Sequence, residues 1–376
     1  MLKRIRKVVF GLLLIILMLV LVLLLTINIP FDFFVHEQSE QDYSHWMSDT
    51  LTTDQRIIDV AMLGAHDAFS ADINLFSQTD VHSAASIQTG ITGLLIKGFS
   101  VKQSKTQVSG ITELLTAGVR YFDIRLTYNE EKSSWYTTHT YFSNDLASVL
   151  EEMNTFLFAH PGEFLLLDIQ HVYGIDYDNP AENDVAFAEI RTIFASANVL
   201  EYAYEQGTKE LNEITYGDIT NNKVQAGVMI FSKMANNDNA FWDYWSSIYS
   251  AWPNTDVPET AYACLDTYAA NITSGDALTG ALPIVENASA INAQEGIRVL
   301  QGVLTMQMNG EGIINALIKW SLIDRAREFN SNLIDQPNFA NWMMTMPVIM
   351  VDYADTNYEN FLDRVMEMII YYNETT

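Results

Sequence analysis

Two histidines, an arginine and several aspartates stand where apolar runs end in this chain of 376 residues. The run Asp59-Val60-Ala61-Met62-Leu63 leads into Gly64-Ala65-His66-Asp67. A histidine beside a carboxylate at a strand's end, after a glycine that permits a tight turn, can act as an oriented base. The same residues also read as a turn with a capping aspartate. In Tyr121-Phe122-Asp123-Ile124-Arg125, alternation puts Asp123 and Arg125 on one face. The planar donor fork of arginine suits a phosphate, although a buried structural ion pair has the same signature. Tyr136-Thr137-Thr138-His139-Thr140 supplies the second histidine. One imidazole that takes a proton, one that gives a proton and a cation on the phosphoryl group fit phosphodiester cleavage without a metal.

Such groups need strands to aim them. Short apolar runs recur at Ile58–Leu63, Val119–Leu126, Trp135–His139, Phe164–Gln170, Val224–Ser232, Val299–Met306 and Val348–Tyr353. Helical periodicity lies between them, at Ile111–Ala117, Leu146–Ala159, Val185–Ala195, Gly312–Ser331 and Asn357–Tyr371. Several runs are apolar on both faces, as parallel strands buried on both sides are. The expected fold is α/β, a distorted TIM-type barrel of eight β/α units over residues 56–376. Barrel closure is open across 235–290, which is irregular and rich in Asn, Trp and Tyr.

Ahead of the barrel, Val8–Ile29 carries no charge. As a helix its 22 residues reach about 33 Å, enough to cross a hydrocarbon core of ~30 Å. Lys3, Arg4, Arg6 and Lys7 precede it, so the expectation is a basic cytoplasmic stub (1–7), a transmembrane anchor (8–29) and an extracytoplasmic barrel. The run continues into Pro30-Phe31-Asp32 without small residues of a signal-peptidase site, which favours an uncleaved anchor. Residues 30–55 read as a juxtamembrane linker. Lys+Arg number 20 and Asp+Glu 47, a net charge of −27, which excludes a nucleic-acid binder. Hydrophobic residues at 49% exclude a disordered chain. One cysteine, Cys264, excludes an intrachain disulfide and a cysteine zinc site.

Leu63-Gly64-Ala65-His66-Asp67, Gly118-Val119-Arg120-Tyr121-Phe122-Asp123-Ile124-Arg125 and Thr138-His139 together resemble the X domain of phosphatidylinositol-specific phospholipase C. The stretch His160–His171, Trp252-Pro253-Asn254-Thr255, Thr305 and Val348–Asp352 fit the same family, so the resemblance covers about residues 55–370. It is greatest to the single-domain X-domain-containing proteins and their bacterial relatives. The resemblance implies a distorted TIM barrel that cleaves phosphatidylinositol to diacylglycerol and a cyclic or open inositol phosphate. It implies His66 as general base for the inositol 2-hydroxyl, His139 as general acid for the leaving oxygen and Asp352 as partner of His66. Arg125 is implied on the phosphate, where calcium sits in the eukaryotic signalling enzymes, with Asp67 and Asp123 in support. No metal and no cofactor are expected; the partners are an inositol phospholipid and a membrane.

Secreted bacterial members carry a lysine where this chain has Gln170, and Lys233 is the candidate replacement cation. Asp168 and His171 follow the family strand without an assigned role. The insertion 68–108 reads as a lid touching lipid or a loop packed on the barrel. Trp242, Tyr244, Trp245, Tyr249 and Trp252 read as a headgroup pocket, a membrane-interface belt or an aromatic core. Asn271, Asn287 and Asn373 open glycosylation sequons. A glycerophosphodiester phosphodiesterase is the rival enzyme, but Asp67 stands where that family has Arg and Asp123-Ile124-Arg125 replaces its metal pair. An inactive lipid-binding barrel is the non-enzyme alternative.

Overall fold

The computed structural model describes residues 2–27, 36–275, 293–307, 312 and 321–376. Its strands are β1 (Met62–Ala65), β2 (Val119–Asn129), β3 (Ser134–His139), β4 (Tyr141–Asp145), β5 (Phe164–Tyr173), β6 (Gly227–Ser232), β7 (Phe241–Asp243), β8 (Ile248–Ala251), β9 (Ile297–Gly302) and β10 (Val348–Val351). Eight of them pair parallel, in the order β7-β6-β5-β2-β1-β10-β9-β8. That is the sequential order of a TIM-type barrel. Among the described residues no ladder joins β7 to β8. Only Tyr244–Ser247 connect them, far short of the dozen residues a parallel crossover needs. The barrel is therefore distorted at this seam, inside the region where the sequence left closure open.

β1, β6, β8, β9 and β10 are buried at every position, which explains their unbroken apolar runs. β3 and β4 are a departure from the expected pattern. They form an antiparallel hairpin on the far half of β2, so the run ending at His139 is an arm of the sheet and not a barrel strand. The helix Leu146–Ala159 starts where the Asp145 side chain accepts from the amides of Ala147 and Ser148. The helix Pro258–Ser274 opens with proline at its first turn and has no counterpart in the sequence reading. The expected helix 312–331 is described only at 312 and from Ser321, with a helix over Leu322–Ile334.

Residues 36–55, read as a linker, pack on the barrel instead. Trp46, Met47 and Leu51 join the core, and Trp46 Nε1 donates to the carbonyl of Gly118 at 3.0 Å. A buried clamp fixes this segment: Arg120 donates to Glu163 at 2.7 and 2.9 Å and to the carbonyls of Leu115, Val119, Tyr43 and Ser44. Three apolar anchors, Trp46, Met47 and Leu51, in a polar stretch were too few to show as periodicity. Asn373 bonds both backbone groups of Ala61 and is buried, so its sequon is closed in the folded chain; Asn287 lies outside the described residues.

The N-terminal helix runs over Leu2–Ile27. Its segment Arg4–Val22 is long and apolar enough to cross a membrane and is unburied.

Candidate active site

The parallel register brings the sequence's separate motifs to one end of the barrel. Ala65 of β1 pairs with Val351 of β10, so His66 and Asp352 leave adjacent strands together. His66 Nδ1 donates to Asp352 Oδ1 at 2.7 Å, which fixes the tautomer and leaves Nε2 facing inward. Gly64 does not make the turn. It lies in β1, where a Cβ would come within 3.0 Å of the Tyr121 ring and 3.4 Å of the Met350 Cα. The turn belongs to Asp67 and Phe69, at φ 39° and 68°, a region aspartate tolerates better than most residues.

Asp67 is the hub. Its amide donates to Asp123 Oδ2 at 3.2 Å. Arg125 Nε pairs with one carboxylate oxygen. The other oxygen stands 3.6 Å from His66 Nε2 and 3.3 Å from His139 Nδ1. Arg125 Nη2 lies 3.4 Å from both Asp123 Oδ2 and His66 Nε2. Asp123 Oδ2 is 3.8 Å from His66 Nε2. His139 Nδ1 donates to the carbonyl of Ser104 at 2.7 Å, so its Nε2 is left for a ligand. His66, Asp123, Arg125 and His139 thus surround one buried aspartate, and Asp352 joins the cluster through His66.

Charge state follows from this crowding. Burial works against charge on His66, but Asp67, Asp352 and Asp123 outweigh it and push its pKa up to about 9. Burial raises Asp67, yet Arg125, His139 and His66 outweigh it and hold it at about 2. Burial likewise opposes Arg125, and Asp67 and Asp123 hold it firmly charged. His66, Asp67 and Asp123 bring donor atoms within 4.8 Å of one another, a grouping that can hold a cation. The Arg125 guanidinium reaches all three.

A cavity of about 370 Å³ opens over this cluster, within the range that holds a small ligand. His66, Asp67, Arg125, His139 and Asp352 line it, with Gln170, His171 and Tyr173 from β5 and Trp252, Gln301 and Thr305 opposite. Trp252 Nε1 donates to Thr305 Oγ1 at 2.9 Å. Lys233, named from the sequence as a substrate cation, is not among the lining residues. It is buried, with Nζ 4.5 Å from the Tyr244 ring and 5.1 Å from that of Trp245, because the end of β6 meets the aromatic seam. Of the five aromatics flagged there, Trp242, Tyr244 and Tyr249 are core, Trp252 lines the cavity and Trp245 is exposed. Asp168 is also buried, where burial and the nearby Asp123 push its pKa up to about 8; the Tyr121 hydroxyl donates to it at 2.6 Å.

The sequence missed Tyr173 and Ser104. Tyr173 lies two residues past His171 on the same strand face and hydrogen-bonds Arg125, so alternation was its one signal. Ser104 acts through its carbonyl, and no side-chain pattern reports that.

No family model matches the chain. It is 28% identical over 229 residues to the PI-PLC X domain-containing protein 3 of Danio rerio, covering 59% of this chain and 67% of that protein. It is 33% identical over 142 residues to the variant-surface-glycoprotein phospholipase C of Trypanosoma brucei brucei, covering 35% of this chain and 40% of that one. The chain thus spans about two thirds of the first relative's length and well under half of the second's. Its fold is similar to the phosphatidylinositol-specific phospholipase C of Listeria monocytogenes, with a TM-score of 0.53 at 14% identity, over 88% of this chain and 98% of that one. Beside the barrel and its strand order, the chain is similar in sequence to the PI-PLC X domain-containing proteins and in fold to a bacterial phosphatidylinositol-specific phospholipase C.

Proposed function

We propose that the protein is a membrane-anchored phospholipase C that cleaves inositol phospholipids by general acid and base without a metal. The observation that carries this reading is the shared carboxylate. Asp67 holds Arg125 on one oxygen and approaches both His66 and His139 with the other. Two proton-transfer groups and a fixed cation then face one cavity.

His66 Nε2 takes the proton of the inositol 2-hydroxyl, whose oxygen attacks the phosphorus of the same molecule. The attack is intramolecular, so positioning supplies much of the rate. Arg125 neutralises the charge that develops on the phosphoryl oxygens. Asp67 and Asp123 hold that guanidinium in place. His139 Nε2 gives its proton to the diacylglycerol oxygen as the P–O bond breaks. The products are diacylglycerol and inositol 1,2-cyclic phosphate, which water opens with His139 now as base. Asp352 keeps the His66 tautomer. A guanidinium among the donors of His66, Asp67 and Asp123 supports metal independence, since a calcium ion there would meet a fixed positive charge. The basic stub before the apolar helix supports an N-terminus in the cytoplasm and a barrel outside it.

The test is incubation of the full chain in detergent with phosphatidylinositol, a glycosylated inositol lipid and glycerophosphoinositol, read by phosphorus NMR. Cyclic inositol phosphate formed in chelator is expected. Release of inositol phosphate only when calcium is restored would sink the metal-free mechanism, and no cleavage of any of the three would sink the enzyme.

A further inference from the structure

Residues 103–107, at the end of the helix Lys97–Ser104 and just beyond it, brace the catalytic cluster. The Ser104 carbonyl accepts from His139 Nδ1 at 2.7 Å, and the Ser104 hydroxyl donates to Ser100 O at 2.9 Å. The Lys105 carbonyl accepts from the Tyr353 hydroxyl. Thr106 Oγ1 donates to Asp67 O at 3.0 Å. The Gln107 carboxamide is engaged at both ends. Its Nε2 donates to His66 O at 3.0 Å and to Val351 O at 3.3 Å, and its Oε1 accepts from the Ala354 amide at 3.0 Å.

Gln103 behaves differently. It lines the catalytic cavity with Thr106, His66, Arg125 and His139. Both polar atoms of its carboxamide, Nε2 and Oε1, are buried and have no hydrogen-bond partner among the described residues. A buried amide left unpaired costs stability, because it has given up water without gaining a partner. Two glutamines four positions apart thus have opposite fates. Gln107 holds the backbone behind His66, and Gln103 keeps a donor and an acceptor at the cavity wall.

Position and chemistry select what meets that pair. Gln103 directly precedes the residue whose carbonyl fixes His139, so it shares a wall with the proposed acid. On this wall the proposed reaction changes its occupant: diacylglycerol leaves and water enters. Diacylglycerol esters offer acceptors alone, so they would meet Nε2 and leave Oε1 unmet. Water both donates and accepts, and an unpaired glutamine amide is suited to orienting an attacking water. Other polar side chains of the cavity, Gln170 and Tyr173 of β5 with Gln301 and Thr305 of β9 and its loop, come from other elements.

We propose that Gln103 holds the water that opens the cyclic phosphate. Its Oε1 accepts one hydrogen of that water and its Nε2 donates to a phosphoryl oxygen, which turns the water oxygen toward phosphorus. His139 Nε2 takes the other hydrogen as the new P–O bond forms. The bond from phosphorus to the inositol 2-oxygen breaks, and His66 returns its proton to that oxygen. The product is inositol 1-phosphate, and water is the sole co-reactant. This role rests on the acid–base reading above and adds to it a residue for the second step.

The two steps are tested with separate substrates. The full chain in detergent receives phosphatidylinositol for transfer and inositol 1,2-cyclic phosphate for ring opening, and phosphorus NMR reads both. Gln103→Leu should slow ring opening about 10²-fold more than transfer, so that the cyclic product accumulates. Equal losses in both steps overturn the proposal and assign the carboxamide to inositol, which both substrates share. Loss in transfer alone overturns it in favour of the glycerol side, and no loss in either step overturns it outright. An unaltered protein that opens no cyclic phosphate also overturns it, whereas cleavage of phosphatidylinositol by that protein decides the phospholipase reading separately. Urea unfolding adds a readout free of turnover. Leucine removes an unpaired buried amide, so the midpoint of Gln103→Leu should be unchanged or higher. A lower midpoint would show that the fold itself uses the carboxamide, and overturns the proposal.

Discussion

His66 and Asp352, separated by 286 residues in the chain, meet at 2.7 Å because the residues before them, Ala65 and Val351, are paired in adjacent parallel strands. The proposed base and its carboxylate are thus held together by backbone register. A slip of one residue between β1 and β10 would turn one of them away.

Asp352→Asn keeps the shape and removes the charge. Loss of an oriented acid–base pair lowers the cleavage rate on the order of 10²-fold or more. The pKa of His66 falls as well, since Asp352 is one of the carboxylates that raise it. Steady-state kinetics across pH report both, and an unchanged kcat in the variant would contradict the assignment.

A base held at about 9 is protonated in the free protein near neutrality. The expected profile of kcat/KM therefore rises with pH and levels off above about 9. In Asp352→Asn the rising limb moves to lower pH. A limb that stays in place would mean another group titrates.

The same shift enters stability. The pKa of His66 rises from about 6.5 in the unfolded chain to about 9 on folding. Its stabilisation is complete below about 6.5 and is lost as pH climbs through about 9. Asp168, raised to about 8, adds a fall of the same sign. The difference between the protein and His66→Asn isolates the histidine: the variant should lose stability less steeply between those pH values. Parallel urea titrations measure this, and matching slopes would refute it.

Arg125→Lys retains a positive charge but not the fork that spans Asp67, Asp123 and His66. A rate loss of about 10²–10³-fold is expected. The loss should be the same in chelator and in millimolar calcium. Calcium rescue of the variant would show that a metal can take the place of the guanidinium.

Far from the cavity, Arg120→Met strands the buried Glu163 carboxylate. Breaking a fully buried pair costs about 3–5 kcal/mol, and here it also frees the segment around Trp46. Urea unfolding should show that loss, while Arg120→Met with Glu163→Gln recovers part of it. Full stability in the single variant would show that the clamp contributes nothing.

The sequence by itself determined the class of fold and marked the candidate residues of the site. His66, Asp123, Arg125 and His139 were legible because polar residues at the ends of apolar runs stand out there, and Asp352 through the family resemblance. Alternation placed Asp123 and Arg125 side by side before any coordinates did. What only tertiary structure decided was distance and surroundings. Asp67 as the shared hub, the Ser104 carbonyl behind His139, the burial of Lys233 against Tyr244 and Trp245 and the packing of residues 36–55 all arise from tertiary contacts. The antiparallel arm and the broken seam at β7 and β8 belong with them. Periodicity along a chain reports which face of an element is buried, because burial acts residue by residue. It carries no record of which remote element does the burying, since that is fixed by register, crossover length and packing of the whole barrel.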